Sequence, residues 1–134
     1  MQIKFSSVNV DDQEKALAFY TGKLGFRKVS DMPVGNGYRW LTLASPEGVS
    51  GVELVLEPLG FAPSKEYQKA RYEAGIPSNA FITADIQAEY ERLKAAGVVF
   101  RGEPKTIGPI IVALFDDTCG NLINLVQPPG TGPR

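Results

Sequence analysis

The stretch VDDQEKALAFYTGKLGF, Val10–Phe26, decides the fold. Asp11 and Glu14 stand at capping-box spacing, with Asp in place of the usual Ser or Thr, so a helix is expected to start here. Ala16, Leu17, Tyr20 and Leu24 recur at helical spacing, and Gly25 can take the left-handed conformation that ends a helix. Upstream, Ile3–Val10 has the composition of a strand. Downstream come a short strand at Phe26–Ser30, a turn-rich stretch at Pro33–Gly37 and a strand at Tyr38–Ala44. Ser45–Gly48 then reads as a turn and Gly51–Glu57 as the hairpin partner, completing one β-α-β-β-β unit.

The same order returns later in the chain. Pro63-Ser64 opens a charged segment, Lys65–Ala74, closed by Gly75 and Pro77, which reads as a connecting helix with a solvated face. Strand Asn79–Ala84 follows, then Asp85 as cap, a helix apolar at Ile86, Tyr90 and Leu93, and Gly97 as its stop. Strands are expected at Val98–Arg101, Ile110–Asp116 and Asn121–Gln127. Placing Val8-Asn9-Val10-Asp11 opposite Ile82-Thr83-Ala84-Asp85 sets Phe5 against Asn79, and placing Gly51–Val55 opposite Leu122–Val126 sets Glu53 against Asn124. The expected fold class is α+β, two βαβββ modules (1–59 and 78–127) joined by a connecting helix (60–77) in one domain, with a flexible tail at 128–134.

Composition narrows the function. The 134 residues are 43% apolar and 22% charged, with mean hydropathy -0.10, a balance typical of a protein that folds alone. A net charge of -1 provides no field to attract a phosphate backbone or an anionic lipid surface, so neither nucleic acid nor membrane is an expected partner. The chain contains no histidine, which excludes Ser-His-Asp and Cys-His relays and imidazole metal ligands. Cys119 is the single cysteine, so no internal disulfide forms. Met1–Val10 lacks the pattern of a signal peptide and no apolar run is long enough to span a bilayer, so the expected location is the cytoplasm.

Val10-Asp11-Asp12 leading into Lys15–Tyr20, then Lys23-Leu24-Gly25-Phe26, and the late run Asp117–Leu125 closely resemble the vicinal oxygen chelate superfamily of glyoxalases, bleomycin resistance proteins and extradiol dioxygenases. The resemblance extends to Gln127. It implies paired modules whose curved sheets form an open cup, usually in a homodimer. It further implies that metal-using members take ligands from the first and last strand of each module, which here places the four positions at Phe5, Glu53, Asn79 and Asn124. Only Glu53 is a matching ligand type.

Strand alternation bears on the same residues. If Val52, Leu54 and Leu56 face a helix, Glu53 and Val55 face the cup, and Ile123 and Leu125 likewise leave Asn124 facing in. The same reasoning turns Phe5, Ser7 and Asn9 inward, with Tyr38, Trp40 and Thr42, and with Asn79 and Phe81. The expected ligand-binding set is therefore Phe5, Ser7, Tyr38, Trp40, Glu53, Asn79, Phe81 and Asn124, with Glu53 as the candidate catalytic carboxylate. Extradiol chemistry needs two histidines and a carboxylate, and glyoxalase-like isomerisation needs a metal and a second carboxylate where Asn124 stands, so both are disfavoured. No cofactor and no transition metal are expected, although a hard divalent cation can accept amide oxygens. The reading that follows is a small-molecule binder. A lyase or isomerase using Glu53, as base or as ligand of a weakly held cation, is the alternative. Arg39 is a weak anion-binding candidate, while Asp116, Asp117 and Cys119 read as turn residues.

Overall fold

The structure is a computed structural model and describes residues 1–130, so part of the tail expected at 128–134 lies outside the described residues. The first half is β1 (Phe5–Val10), α1 (Gln13–Gly22), β2 (Arg27–Gly35), β3 (Tyr38–Ala44) and β4 (Glu53–Pro58). After α2 (Ala62–Glu73) the second half repeats the order with β5 (Asn79–Ile82), α3 (Ile86–Ala95), β6 (Lys105–Ile107), β7 (Ile110–Asp116) and β8 (Leu122–Gln127). Two four-stranded sheets result, ordered β1-β4-β3-β2 and β5-β8-β7-β6, each with one parallel pair at the edge and antiparallel pairs beyond.

One apolar core joins the sheets through α1. Val8, Leu41, Leu43, Leu54 and Leu56 of the first sheet and Ala113, Phe115, Ile123 and Leu125 of the second belong to a single buried cluster with Ala16, Phe19 and Tyr20. Phe19 meets Phe115 with centroids 6.5 Å apart, and Tyr20 meets Phe81 at 6.3 Å. Full burial of a leucine side chain stabilises by about 1.5–3 kcal/mol. A one-residue slip of β3 would turn both Leu41 and Leu43 out of the core, so register is firmly set there. Each sheet thus has a core face and an opposite face that carries no helix of this cluster.

Several local expectations change. Asp12, not Asp11, caps α1, accepting from the Lys15 N–H at 3.0 Å, while Asp11 forms an ion pair with the Lys15 side chain. Strand β2 runs on through Pro33 to Gly35, which is tolerable because β2 is an edge strand and needs no inward N–H from Pro33. Its hairpin turns on Asn36 and Gly37, with φ of 56° and 77°, the two positive values that a primed two-residue turn requires. Val98–Arg101 makes only a bridge, Phe100 to Phe115, because Phe100 packs on Tyr90 and Phe115, and the edge strand forms at Lys105–Ile107 instead.

Arg39 is not available to an anion. Its guanidinium holds Asp31 in a two-point contact at 2.9 and 2.7 Å and reaches Glu14 on α1. Hydrogen bonding to Arg39 lowers the Asp31 pKa to about 2. A carboxyl depressed in the folded state contributes stability above its unfolded pKa, and that contribution is lost as pH falls toward the folded value. Asp31→Asn is therefore expected to lower stability at pH 7 and to flatten the fall in melting temperature between pH 4 and about 2. Parallel pH profiles for the two proteins would refute the pairing.

Candidate functional site

The pairing of β1 with β4 sets Phe5 beside Glu53, Ser7 beside Val55 and Asn9 beside Glu57, and β3 sets Thr42 beside Val55. Paired residues share a face, so Phe5, Ser7, Trp40, Thr42, Glu53 and Glu57 lie on the side of the first sheet away from the core. Met32, opposite Trp40 on β2, joins them. The Phe5 and Trp40 rings meet edge to face at 5.4 Å across the strand that carries buried Val55. Trp40 is half-buried and Phe5 is 47% exposed, so the pair presents an open aromatic surface.

Glu53 sits at one end of this surface with its side chain only 11% exposed. The Thr42 hydroxyl donates to Oε1 at 2.7 Å, and Lys4 Nζ lies 3.2 Å from Oε2. These partners, the Thr42 hydrogen bond foremost, hold its pKa below the usual carboxylate value against the opposing effect of desolvation. A carboxylate so held stays charged at neutral pH and is a poorer proton acceptor than a free one. At the other end of the sheet Ser7 donates to Glu57 at 3.0 Å. Glu57 was legible as the residue four positions beyond Glu53 on the same strand face, whereas Lys4, inside the strand expected at Ile3–Val10, alternates with Phe5 and so was not expected beside Glu53; β1 begins only at Phe5.

The second sheet places the remaining candidates differently. The core pair Val8–Leu56 corresponds to the core pair Phe81–Leu125, so Phe5 and Glu53 are matched by Ser78 and Leu122. Asn124 does lie on the face away from the core, where it pairs with Ala80 and Leu114. Phe81 does not: its ring packs against Phe26 at 5.3 Å and against Tyr20, inside the shared core. Asn79 is turned the same way as Phe81, and its carboxamide donates to Ser6 at 3.1 Å across the gap between the sheets. Phe81 turns this way because its ring finds Phe26 and Tyr20 in the core, which alternation within β5 alone does not reveal. Aligning the two caps, Asp12 and Asp85, sets Phe5 against Ser78, whereas expecting Asp11 as the cap set it against Asn79, one residue away and on the opposite face. The Glu53–Asn124 correspondence was off by two residues, which preserves the face. Tyr38 lies at the far end of β3, where its ring would be met by a side chain at Gly60.

This donor set does not suit a divalent transition metal. Leu122 and Phe5 offer no ligand atom, and the one carboxylate is already committed to Thr42 and Lys4. Among the described residues no three His, Cys, Asp or Glu side chains converge.

The late motif Asp117–Asn121 turns out to join the two halves. Asp117 is fully buried and accepts from the Tyr20 hydroxyl at 2.7 Å, the Asn121 carboxamide at 2.8 Å, and the backbone N–H groups of Cys119 and Asn121. Burial raises its pKa despite these donors. Gln68 on α2, expected on a solvated face, is buried and donates to Asn9 O, Cys119 O and Asn121 Oδ1. Cys119 is buried as well, and desolvation pushes its thiol up to about 12. A thiol reagent at pH 8 is expected to label it only on unfolding. Fast labelling of the native protein would show that the turn opens.

Against this geometry, residues 2–125 match the model of the Glyoxalase/Bleomycin resistance protein/Dioxygenase superfamily. The chain belongs to that superfamily. Its curated relatives include the uncharacterized protein YurT of Bacillus subtilis (strain 168), 52% identical over 127 residues that cover 95% of this chain and 99% of YurT. UcmS2 is similar in structure with a TM-score of 0.79 and 33% identity, over 94% of this chain and 97% of UcmS2. TnmS3, an antibiotic binding protein from Streptomyces sp. CB03234, superposes with a TM-score of 0.72 and 32% identity, over 96% of each chain. The superfamily hosts unrelated activities on one fold, so what this member does must be argued from its own face of Phe5, Trp40 and Glu53. No helix among the described residues is long and apolar enough to cross a membrane.

Proposed function

We propose that this superfamily member binds a small organic molecule with an apolar or aromatic body on the core-distal face of its first sheet, without a catalytic transition metal. The open Phe5–Trp40 pair beside a charged, mostly buried carboxylate carries the reading. The antibiotic-binding TnmS3, similar over nearly the whole chain, supports it. Use of Glu53 as a base fits less well, because Thr42 and Lys4 stabilise its charged form. The protein acts as a homodimer in this reading. Met32 is 56% exposed on the first sheet's core-distal face, and Ile82 and Ile107 are 67% and 52% exposed on the second's. Apposing the first sheet of one copy to the second sheet of another covers these side chains and closes a cup around the aromatic pair.

Trp40 is the only tryptophan, so its fluorescence reads the site directly. Titration with a panel of small aromatic compounds is expected to give saturable quenching that Phe5→Ala weakens by about tenfold. Manganese, nickel, zinc and magnesium added to metal-stripped protein are expected to give no micromolar calorimetric binding. A micromolar metal isotherm lost in Glu53→Gln, or no response of Trp40 to any compound, overturns the proposal.

A further inference from the structure

The side chain of Lys4 occupies the aromatic face like a ligand. Its Nζ stands 3.2 Å from Glu53 Oε2 and 5.6 Å from the centroid of the Phe5 ring, which in turn meets Trp40 edge to face. A cation held between a carboxylate and a ring is the arrangement by which proteins recognise ammonium groups. The Lys4 backbone is pinned, its carbonyl accepting from the Glu53 N–H at 2.9 Å, but the side chain is half exposed on a flexible four-carbon stem and can swing into solvent.

We propose that the ligand of this face carries a protonated amine beside its apolar body, and that Lys4 is an internal competitor that vacates the position when the ligand arrives. This rests on the ligand-binding reading above and narrows its chemistry. The physical reason is charge conservation at Glu53. Its carboxylate is mostly buried, so a ligand that removed Lys4 without replacing the positive charge would leave it underpaired, at a cost in free energy. An ammonium exchanges one cation for another and leaves the Thr42 hydrogen bond in place. A ligand carboxylate drawn to Lys4 would instead be brought up against Glu53 and repelled.

Three phenyl compounds that differ in charge test this through Trp40 fluorescence excited at wavelengths where they do not absorb: phenethylammonium, 2-phenylethanol and phenylacetate. Wild-type protein, Lys4→Gln and Glu53→Gln are titrated with each at pH 7, after thermal melts show that both variants fold. Removing Lys4 removes an ion pair whose lysine end is half exposed and a cation–π contact, so Lys4→Gln is expected to bind phenethylammonium about three- to tenfold more tightly, with 2-phenylethanol changed less than twofold. Glu53→Gln is expected to abolish the preference for the ammonium over the alcohol. Weaker or unchanged ammonium binding in Lys4→Gln, or phenylacetate binding more tightly than phenethylammonium to the wild type, overturns the inference. If the alcohol and ammonium bind equally to all three proteins, the amine inference fails while the ligand-binding reading stands. If Trp40 responds to none of the three compounds, both fall.

Discussion

Asp117→Ala is expected to destabilise the protein by about 4 kcal/mol, a large part of the stability of a domain of this size. The mutation removes the acceptor of four donors at once. The Tyr20 hydroxyl and the Asn121 carboxamide lose their Asp117 contacts in a region sealed from water, as do the N–H groups of Cys119 and Asn121. A buried donor left without a partner costs about 1–3 kcal/mol, and relaxation around the small alanine recovers part of the sum. Tyr20→Phe is the control, because it removes one of these bonds, keeps the ring contacts with Phe19, Phe26 and Phe81, and is expected to cost about 1 kcal/mol. Thermal melts should therefore separate the two variants, with Asp117→Ala lowered by roughly 15 °C and Tyr20→Phe by a few degrees. Equal shifts would show that the link to Tyr20, not the turn, carries the whole effect.

Gly120→Ala is the second large effect, expected at about 3 kcal/mol. Gly120 has a φ of +97°, and a Cβ there would stand 2.7 Å from Gln68 Oε1 and 2.9 Å from Nε2. A glutamine end can ordinarily move aside. This one is held by Asn9 O at 2.8 Å, Cys119 O at 3.3 Å and Asn121 Oδ1 at 3.1 Å, so moving it breaks the bonds that tie α2 to both halves. In a Gln68→Ala background only the backbone strain remains, and Gly120→Ala should then cost about 1 kcal/mol. A cost independent of Gln68 would place its origin in the backbone alone. Both experiments probe the same joint, on which the relative placement of the two sheets depends.

The residues that made the family legible are those of the joint, not those of the site. Tyr20 closes the first motif and Asp117 opens the late one, and the two are hydrogen-bonded to each other. Such positions are readable because burial and turn geometry restrict which residue can stand there. The site is built from a partly exposed ring pair and a carboxylate whose partners, Thr42 and Lys4, lie on other segments, so its chemistry carries weaker local marks in the sequence.

The sequence by itself determined the element order, the repeat, the exclusion of imidazole chemistry and, by strand alternation, that Phe5, Ser7, Trp40, Glu53 and Asn124 face away from the core. Local periodicity suffices for these because each depends on residues within one strand or helix. Only the tertiary structure decided that Phe81 and Asn79 turn toward the core side, that Gln68 is buried, and that Lys4 lies between Glu53 and Phe5. Each of these depends on a contact between segments far apart in the chain, and on register. Alternation within β5 fits either face equally well, and only the packing of Phe81 on Tyr20 and Phe26 selects one, because a strand's two faces differ by a single residue of register.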